Sequence, residues 1–583
     1  MKLCLISPSW TIANKKWRYP QIPPLGIAYL GASARRAGHD VTVIDALGEG
    51  LTRFHPFIRG CYVNGLSIKE IVQRVEPDTD AIGIGVMFSK QWPFVRRLLD
   101  ALRQAFPDTP IIAGGEHVTA ATEHVFESSP VDFAVLGEGE ETLIELLDAL
   151  SHPKDLSVQD IEGLAYRAPT EATMPRADGD TQLRTLEGGG QTRIVRNPAR
   201  KRRRDLDSVP WPAWDLIPVH NYMEANRFQD ATDRRVMLIL GTRGCPYRCR
   251  FCSSVAMWTT RFFMREPRDI VDEMESYMRQ YGATEFHFQD LTFVINRAWV
   301  MRVADEIHSR NLGIIWKLPS GTRSEAFDQE LMVKLSNTGC TALSFAPESG
   351  SKRMLEVVQK QADPDRFIEL GRIVRRNRIK LKLEAFLIIG FPEETLRDLW
   401  QTYVFIARLA MVGYDSVLCS RFTSYPGSDY HRGHIKSGLI EYNDEFFLDS
   451  DTGYSHHRRA GRSWHPRWSD RSIKRLITLA YSLFFTVYYL SRPLRMVKSV
   501  VAVLRNTPRT RIEVVFAHGL MRRVRQIAAL LSGRRPARWP MSSDVGGRLP
   551  IANRDPTLEK VGHPPPAVLK SSGTPEHLGV KMR

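Results

Sequence analysis

The sequence predicts an α/β protein in which two parallel sheets follow one another and a helical region follows the second. Short apolar segments alternate with helical segments over residues 1–150, and the same alternation starts again near residue 236. Apolar strands separated by helices of this length form parallel sheets with helices on both faces. After Pro426 the alternation ends, and the chain becomes helical and basic.

Residues 1–150 form the first series, which predicts a doubly wound parallel sheet. Its predicted strands are Lys2–Ser7, Asp40–Asp45, Ala81–Phe88, Pro110–Ala113 and Phe133–Leu136, with helices such as Leu25–Ala37 and Pro93–Ala105 between them. Ligands of such sheets bind at the carboxyl ends of the strands. Gly114-Gly115 and Gly137-Glu-Gly139 follow two of these ends, so we expect a ligand there.

Residues 151–228 lose this alternation and are predicted to be a linker with a few strands. They contain Gly188-Gly-Gly190, the basic run Arg200–Arg204 and the Pro-rich segment Val209-Pro-Trp-Pro212. Runs of like charge are commonly solvated. We therefore interpret Arg200–Arg204 as a solvated surface.

Residues 229–430 contain six strand–helix units. The predicted strands are Val236–Leu240, Glu285–Gln289, Ile314–Leu318, Ala342–Ala346, Leu381–Ile389 and Ser416–Phe422. Pro267 suits the first turn of the helix between the first two strands, and Gly282 ends it. Six units predict an open or partial (β/α)6 barrel of the TIM type, whose chemistry lies on the loops after the strands.

Residues 431–534 are predicted to be a helical basic region, and residues 535–583 a disordered tail rich in Pro, Gly, Ser and charge. Leu476–Ser491 has no charged residue and is shorter than the roughly twenty residues of a bilayer span. Arg492, Arg495 and Lys498 follow it. Aromatic and apolar residues beside cations suit a helix on anionic lipid, and a buried helix of the C-terminal region is the equal alternative.

The composition is that of a folded protein with about three domains. The chain has 583 residues, of which 43% are hydrophobic and 25% charged. Its seven cysteines form no disulfide framework, which predicts a reducing, cytoplasmic compartment. Residues 1–12 are interpreted as a first strand, since the apolar run is too short for a signal peptide. The net charge of +16 fits nucleic acid, an anionic membrane surface or a solvated face, and by itself selects none of them.

Three cysteines carry the chemistry. Cys245, Cys249 and Cys252 form a Cys-x3-Cys-x2-Cys pattern directly after the first barrel strand. Thiolates hold iron–sulfur clusters, and a four-iron cluster normally takes four. Three ligands leave one iron open to a substrate, whereas a structural zinc site would more often add a fourth Cys or a His. Cys340 and Cys419 fall near or within barrel strands and are interpreted as buried small hydrophobes.

The triplet, with Phe251 just before its last cysteine, resembles the signature of the radical S-adenosylmethionine (SAM) superfamily. Segments similar to the second-, fourth-, fifth- and sixth-strand motifs of that superfamily follow in order: Phe288–Phe293, Ala346–Gly350, Leu387–Thr395 and Tyr425–Gly427. The resemblance implies a [4Fe-4S] cluster on the three thiolates, with the open iron chelating the amino and carboxylate groups of SAM. Cleavage of SAM would give a 5′-deoxyadenosyl radical.

The resemblance also implies roles for four barrel residues. Phe251 would lie beside the adenine. Asp290 would accept hydrogen bonds from the SAM ammonium, with a loop-capping carboxylate as the alternative. Glu348 would bind the two ribose hydroxyls, with a surface salt bridge as the alternative. Arg323 would pair with the SAM carboxylate, and a structural ion pair is an equal alternative.

The first domain resembles the cobalamin-binding domain of the cobalamin-dependent radical SAM enzymes. The similar segments are Pro23–Leu30, Ala37–Val41, Gly114–His117 and Leu136–Glu140. The resemblance implies a Rossmann-like fold in which Gly114 and Gly115 let the backbone approach the nucleotide tail of cobalamin. A tight strand–helix turn is the alternative. The Asp-x-His-x-x-Gly motif of other cobalamin domains is absent after the first strand, which fits this subfamily, and His117 is interpreted as a hydrogen-bonding residue.

Together these resemblances imply an enzyme that uses the cluster, SAM and cobalamin to methylate an unactivated carbon or phosphorus of a small-molecule or lipid-like substrate. One SAM would methylate cobalt and a second would yield the radical. A radical oxidative cyclase without methyl transfer is the alternative. An external electron donor of the flavodoxin or ferredoxin type is the expected partner, with peripheral contact to the inner membrane face as a further hypothesis.

Two other classes fit the sequence less well. An RNA-modifying enzyme would suit the positive charge, but the chain has neither an appended RNA-binding module nor an aromatic–basic motif, so nucleic acid is not an expected partner. A cobalamin or iron–sulfur sensor without catalysis would have no use for Asp290, Glu348 and the fifth-strand segment together. We therefore favour the enzyme.

Overall fold

The structure is a computed structural model that describes residues 1–13, 20–152, 156–169, 183–185, 191–225, 228, 235–450 and 462–504. The predicted tail at 535–583 and the Gly188–Gly190 segment lie outside the described residues. The chain divides into two compact units, Met1–Pro493 and Leu494–Arg583. Both sheets and the cysteine loop belong to the first unit.

The N-terminal part is an eight-stranded sheet with helices on both faces. Its elements are β1 (Lys2–Ser7), β2 (Trp10–Ile12), α1 (Leu25–Arg36), β3 (Asp40–Asp45), β4 (Phe54–Pro56), β5 (Tyr62–Asn64), α2 (Ile68–Val72), β6 (Ala81–Gly85), α3 (Trp92–Ala105), β7 (Ile111–Gly114), α4 (Glu116–Ala120), α5 (Thr122–Ser128), β8 (Phe133–Val135), α6 (Glu140–Ser151), β9 (Leu164–Pro169), β10 (Leu183–Thr185) and β11 (Gln191–Arg196). The order is β10-β11-β9-β8-β7-β6-β1-β3, and the strands from β8 to β3 are parallel. Apolar residues on both faces of β1 and β6 are buried, as expected for a doubly wound sheet.

Two features of this part differ from the sequence prediction. β9 pairs antiparallel with β8, β11 with β9, and β10 with β11, so much of the segment predicted as a linker extends the first sheet. In addition, β2, β5 and β4 form a separate antiparallel sheet. Strands of three residues are too short to leave a readable periodicity in the sequence.

The central part is a six-stranded parallel sheet that forms the partial barrel. Its elements are α7 (Val219–Ala225), β12 (Val236–Ile239), β13 (Thr242–Arg243), α8 (Ser254–Trp258), β14 (Phe263–Met264), α9 (Pro267–Tyr281), β15 (Glu285–Phe288), α10 (Arg297–Ser309), β16 (Ile315–Thr322), α11 (Gln329–Asn337), β17 (Cys340–Glu348), α12 (Lys352–Val357), α13 (Pro364–Arg376), β18 (Lys382–Ile389), α14 (Leu396–Val412) and β19 (Ser416–Arg421). The six strands of the sheet lie in chain order, β12-β15-β16-β17-β18-β19, while β13 and β14 form a separate antiparallel pair. The partial (β/α)6 barrel is confirmed. Gly282, at a φ of +63°, ends α9 as predicted.

Within the described residues, four helices follow the barrel: α15 (Asp429–Lys436), α16 (Asp444–Asp449), α17 (Asp470–Leu490) and α18 (Pro493–Leu504). α17 packs on the barrel, because Ile473, Ile477 and Phe484 are buried and the Tyr403 hydroxyl donates to the Leu476 carbonyl at 3.0 Å. The buried-helix interpretation of Leu476–Ser491 therefore holds for its inward face. Of the helices in the described part of the chain, none has the length and apolarity that a bilayer crossing requires.

One apolar core joins the two sheets. It runs from α1 and α6 of the N-terminal sheet through Trp214 to Tyr277 on α9. The Ala213 amide also donates to the Ala28 carbonyl in α1 at 3.0 Å. Because this core is continuous, the loops at the carboxyl ends of the two sheets have a defined relation to each other.

Candidate functional site

The cysteine loop joins β13 to α8, after the first barrel strand. Cys245, Cys249 and Cys252 are free and partly exposed, and the amide of Cys252 donates to the carbonyl of Cys249 at 3.0 Å. Gly244 precedes the first cysteine at a φ of +96°. A Cβ atom there would lie 2.0 Å from the carbonyl oxygen of Arg261, so only glycine fits this entry to the loop.

The three thiols suit an iron–sulfur cluster. Among the residues that the structure describes, no three His, Cys, Asp or Glu side chains are grouped to hold a metal ion. A four-iron cluster takes its thiolates on different irons, so its ligands need not converge on one point. Burial raises the pKa of Cys249 to about 11, although Lys360 acts in the opposite direction. The Cys249 thiolate therefore needs the positive charge of bound iron to persist.

Glu348 ends β17 beside this loop in an uncommon conformation. Its φ is +65°, a backbone region that non-glycine residues adopt rarely and most often at functional sites. Its carboxylate is buried and lies 3.2 Å from the ammonium of Lys360. Burial raises the pKa of Glu348, and Lys360 partly offsets this rise. The ion pair is therefore buried, and the surface alternative is wrong.

Lys360 is the residue that the sequence analysis missed. Its side chain is 8% exposed, and its charge acts on both Glu348 and Cys249. A lysine in the turn after a short helix belongs to none of the motifs used above. Its position becomes visible only when the chain folds back and brings Lys360 to the end of β17.

Asp290 is fully engaged with the entry to the cysteine loop. Its carboxylate accepts hydrogen bonds from the Gly241 amide at 3.3 Å and from both the amide and the hydroxyl of Thr242, the hydroxyl at 2.6 Å. Burial raises the pKa of Asp290 to about 6, against the opposing effect of the Thr242 hydrogen bond. These contacts favour the loop-capping alternative over a bond to the SAM ammonium.

Arg323 supports the cysteine loop from the third barrel strand. Its guanidinium pairs with Glu325 at 2.8 Å and lies 3.5 Å from the centroid of the Tyr247 ring. Both interactions are within the protein, which favours the structural ion pair over a bond to the SAM carboxylate. The cation–π contact fixes Tyr247, two residues from Cys245 and from Cys249.

Phe251 lies in a small apolar cluster at the same end of the barrel. Its ring centroid is 5.7 Å from that of Phe391, in the fifth-strand segment. Met354 and Phe422 belong to the same cluster. This is an apolar surface suited to an aromatic base, and the adenine contact of Phe251 stays a prediction.

A cavity of about 790 Å³ opens beside the cysteine loop. Its lining includes Tyr247 and Arg248 from the loop and Leu355, Gln359 and Lys360 from α12 and the turn after it. The cavity therefore reaches from the loop to the residue that pairs with Glu348. It has the charge and polarity to accept an anionic or zwitterionic ligand.

The carboxyl edge of the N-terminal sheet carries the predicted glycines. Gly115 has a φ of +106°, and a Cβ atom there would lie 2.7 Å from the Val86 carbonyl oxygen. The tight turn thus requires this glycine. A Cβ atom on Gly114 would meet only ordinary contacts, the nearest at 3.5 Å from the Val135 carbonyl oxygen. The cofactor role of both glycines stays a prediction.

The same edge exposes apolar side chains that suit a large cofactor. Met87 and Phe88 follow β6 and are 49% and 40% exposed, and the ring of Trp10 lies 5.5 Å from that of Phe88. Large apolar groups grouped in the open commonly mark a binding surface. A corrin ring, which is broad and largely apolar on its faces, fits these residues.

His117 does not face this edge. Its side chain is buried, its Nδ1 lies 3.0 Å from the Ser89 hydroxyl, and its ring packs on Trp92 at 5.0 Å. These contacts agree with a hydrogen-bonding role and not with ligation of cobalt.

The two sheet ends meet at the cysteine loop. The Ser253 hydroxyl, next to Cys252, donates to the carboxylate of Glu116, next to Gly115. A Cβ atom on Gly427, after the sixth barrel strand, would lie 2.9 Å from the Ala256 Cβ and 3.0 Å from the Ala120 Cβ. Gly427 therefore lets the N-terminal domain, the loop helix α8 and the sixth-strand turn approach one another closely.

The basic run Arg200–Arg204 is not a solvated surface, and that prediction is wrong. Arg202 is 5% exposed and pairs with Glu138 at 2.5 Å. Arg200 and Arg203 both pair with Glu141. The run lies against the segment that begins α6, so most of its charge is neutralised within the fold.

Two family models match the chain, each over one of these sheets. The B12 binding domain matches residues 18–147, and the Radical SAM superfamily matches residues 239–406. The first match includes the Gly114-Gly115 edge, and the second includes the cysteine loop. The first accounts for the cobalamin prediction, and the second for the cluster and SAM.

Curated relatives share most of the chain. An uncharacterised methyltransferase of Pyrococcus horikoshii is 29% identical over 76% of this chain and 84% of its own length. The cytidylyl-2-hydroxyethylphosphonate methyltransferase of Streptomyces wedmorensis is 26% identical, with the same shares covered. An anaerobic magnesium-protoporphyrin IX monomethyl ester cyclase of Rubrivivax gelatinosus is 25% identical over 65% of this chain and 61% of its own.

The fold agrees with that of a solved structure. The radical SAM methyltransferase TsrM of Kitasatospora setae, solved with cobalamin and a [4Fe-4S] cluster bound, has a TM-score of 0.55 and 20% identity over 75% of this chain and 78% of that one. The protein is an enzyme whose cofactors are a [4Fe-4S] cluster, SAM and cobalamin. With a B12 binding domain in front of a radical SAM barrel, the chain belongs to the cobalamin-dependent radical SAM enzymes.

Proposed function

We propose that this enzyme transfers a methyl group to an unactivated carbon or phosphorus of a small molecule. The observation that carries the proposal is the direct contact between the cysteine loop and the carboxyl edge of the N-terminal sheet, made by Ser253 and Glu116. When bound, the cluster with SAM supplies a carbon-centred radical and cobalamin supplies a methyl group. A shared edge lets one substrate meet both.

Residues around the loop would hold SAM in place. The buried pair of Glu348 and Lys360 offers a carboxylate for the ribose hydroxyls and an ammonium for the SAM carboxylate. Phe251 and Phe391 offer an apolar surface for the adenine. Asp290 and Arg323 would keep the loop in its shape and not touch the ligand.

Products of SAM turnover test the reaction class. The anaerobically purified enzyme, with its cluster reconstituted, is given reductant, methyl-labelled SAM and the small-molecule fraction of a cell extract. Methyl transfer predicts S-adenosylhomocysteine, 5′-deoxyadenosine and label in an acceptor. If 5′-deoxyadenosine forms while neither S-adenosylhomocysteine nor a labelled acceptor appears, the cyclase alternative is correct.

SAM binding tests the proposed roles of Glu348 and Lys360. Lys360→Met should weaken SAM binding about tenfold or more, because a buried hydrogen bond to a charged group is worth about 1.5–3 kcal/mol. Lys352→Met is the matched control, since Lys352 lines the same cavity but is 66% exposed. Equal SAM affinity in the two variants would contradict the assignment.

A lipid-like substrate is the second candidate, and an exposed apolar stripe on α14 favours it. Leu396, Trp400 and Val404 recur every four residues and are 72%, 67% and 43% exposed. Arg397 is exposed beside them, and the chain carries a net charge of +16. An apolar stripe beside cations suits an anionic membrane surface.

Sedimentation with liposomes tests this second candidate. The protein should sediment with anionic vesicles and not with neutral ones, and Trp400→Ser should reduce the bound fraction at least about twofold, since burial of an indole drives interfacial binding. Leu439→Ser is the control, because Leu439 is 50% exposed and does not belong to the α14 stripe. If wild-type protein stays in the supernatant with both vesicle types, the candidate fails.

A further inference from the structure

The Leu136–Glu140 segment runs from the end of β8 to the first residue of α6. Its two glutamates bind Arg243, which lies at the entry to the cysteine loop. Arg243, two residues before Cys245, pairs with Glu140 at 2.7 Å and with Glu138 at 3.2 Å. The three side chains are 6%, 13% and 10% exposed, respectively. The Arg243 guanidinium also lies 4.9 Å from the centroid of the Tyr29 ring on α1. The barrel and the N-terminal domain are thus joined by a buried ion pair at the entry to the loop.

Arg202 connects the carboxylate of Glu138 to the segment that follows the three cysteines. Its Nε lies 2.5 Å from Oε2 of Glu138, and its guanidinium donates to the carbonyl of Trp258, the last residue of α8. The guanidinium also lies 5.0 Å from the centroid of the Trp258 ring. Through Arg243 and Arg202, the Glu138 carboxylate is therefore connected to the chain before and after the three cysteines.

The charged character of this cluster indicates that its role is to fix geometry and not to add stability. Burying charged groups is costly, and apolar residues of similar volume commonly stabilise a buried position as well or better. Burial by itself would raise the pKa of Glu140, but Arg243 lowers it below the ordinary value. The charges are thus kept and well paired. The Arg202 guanidinium donates to both carboxylate oxygens of Glu138, and a bidentate arginine–carboxylate pair of this kind fixes both distance and orientation.

We propose that Glu138 and Glu140 are positioning residues that set the separation between the cluster and cobalamin through Arg243 and Arg202. The inference rests on the proposed function, because a fixed separation matters only where both cofactors act on one substrate. Reacting groups must lie about 3–3.5 Å apart, and a shift of about 1 Å can reduce a rate about 100-fold. A buried ionic tie between the two domains supplies the required precision.

EPR spectroscopy and amide hydrogen exchange, measured on the intact enzyme without turnover, test the proposal. Glu140→Gln removes one negative charge. Arg243→Lys keeps the positive charge but removes the planar guanidinium that contacts both glutamates. Both variants should keep wild-type iron and cobalamin contents. The EPR spectrum of the wild type should resolve a coupling between the reduced cluster and Co(II) cobalamin, and both variants should lose it. Protection of the amides of residues 243–252 against hydrogen exchange should fall about tenfold, as loss of a charged hydrogen bond predicts.

Two further variants keep the test decisive. Glu145→Gln is the matched control, since Glu145 on α6 pairs with Arg200 and not with the loop, and it should leave both measurements unchanged. The pair Glu140→Leu with Arg243→Met keeps an apolar contact if a single substitution does not fold. Unchanged coupling and protection in folded variants would overturn the proposal, and so would loss of the fold in all of them.

The test is separable from the proposed reaction. If methyl transfer is wrong, S-adenosylhomocysteine is absent while the coupling between the two metal centres still depends on Arg243. If the positioning role is wrong, methyl transfer is observed while the coupling is insensitive to Arg243.

Discussion

The buried carboxylates of this protein differ in the hydrogen-bond donors around them, and these donors decide whether a carboxylate holds the fold or can bind a ligand. Asp290 is capped by three donors and holds a loop, whereas Glu348 faces one lysine and keeps acceptor sites for a ligand. Asp45, at the end of β3, accepts from the Tyr222 hydroxyl at 2.7 Å and the Gly48 amide at 3.1 Å. Burial raises its pKa to about 7 despite these bonds.

Asp45→Asn should change how stability depends on pH. The wild-type carboxyl binds its proton more tightly when folded, so its stabilising contribution is full below pH 3.8 and is lost as the pH rises towards 7. Relative to the variant, the wild type should lose about 2 kcal/mol or more over this range. Thermal unfolding of both proteins at pH 5 and pH 8 measures it. A difference that does not change with pH would contradict the raised pKa.

Cys249→Ala should remove the cluster without unfolding the protein. Two thiolates cannot hold a four-iron cluster as three do, so the iron content of the reconstituted protein should fall at least about tenfold. Iron analysis and the visible absorption of the cluster measure the loss. Cys419→Ala is the control, since Cys419 is fully buried in β19 and should keep its iron. Full iron content in the Cys249 variant would contradict the ligand assignment.

At the scale of elements, one strand–helix turn depends on a single glycine. Gly115→Ala would place a Cβ atom 2.7 Å from the Val86 carbonyl oxygen at a φ of +106°. The strain should lower stability by about 1–3 kcal/mol and reduce the bound cobalamin. Absorbance titration with cobalamin and a melting curve measure both. Gly26→Ala is the matched control, because no atom lies within 4 Å of its Cβ position in α1. Equal behaviour of the two variants would refute the requirement for Gly115.

The role of α17 is tested by its two faces. Phe484 is fully buried against the barrel, while Leu490 is 77% exposed. Phe484→Ala should destabilise the protein by about 3–5 kcal/mol, since a large cavity is left in a packed contact. Leu490→Ala should change stability by less than about 0.5 kcal/mol. Chemical denaturation measures both, and a negligible effect at Phe484 would mean that the helix does not pack here in solution.

At the scale of the whole molecule, the cofactor chemistry should reside in the first unit. A chain ending at Pro493 contains both sheets, the cysteine loop and the packed helix α17. It should bind iron and cobalamin as the full chain does, and its melting temperature should lie within about 2 °C, which corresponds to less than about 1 kcal/mol for a large domain. Cofactor analysis and calorimetry measure this. Aggregation or loss of cobalamin would show that residues after 493 complete the fold.

The two parallel sheets and the cysteine triplet follow from local patterns in the sequence. All six barrel strands were predicted close to their observed positions, because apolar runs between Gly and Pro signals are local properties of the chain. The triplet is also local, since only six residues lie between its first and last cysteines. Cys340 and Cys419 are buried as predicted.

The contacts that hold the site together join segments far apart in the chain, so they become visible only in the folded protein. Glu138 and Arg243 are 105 residues apart, and neither has a neighbour in sequence that reveals the pair. Lys360 meets Glu348 because a helix and its turn fold back on a strand, and Arg202 becomes an interior residue because β9 and β11 extend the first sheet. The physical reason is that a strand pattern depends on the residues next to it, whereas an ion pair depends on packing that brings distant segments together.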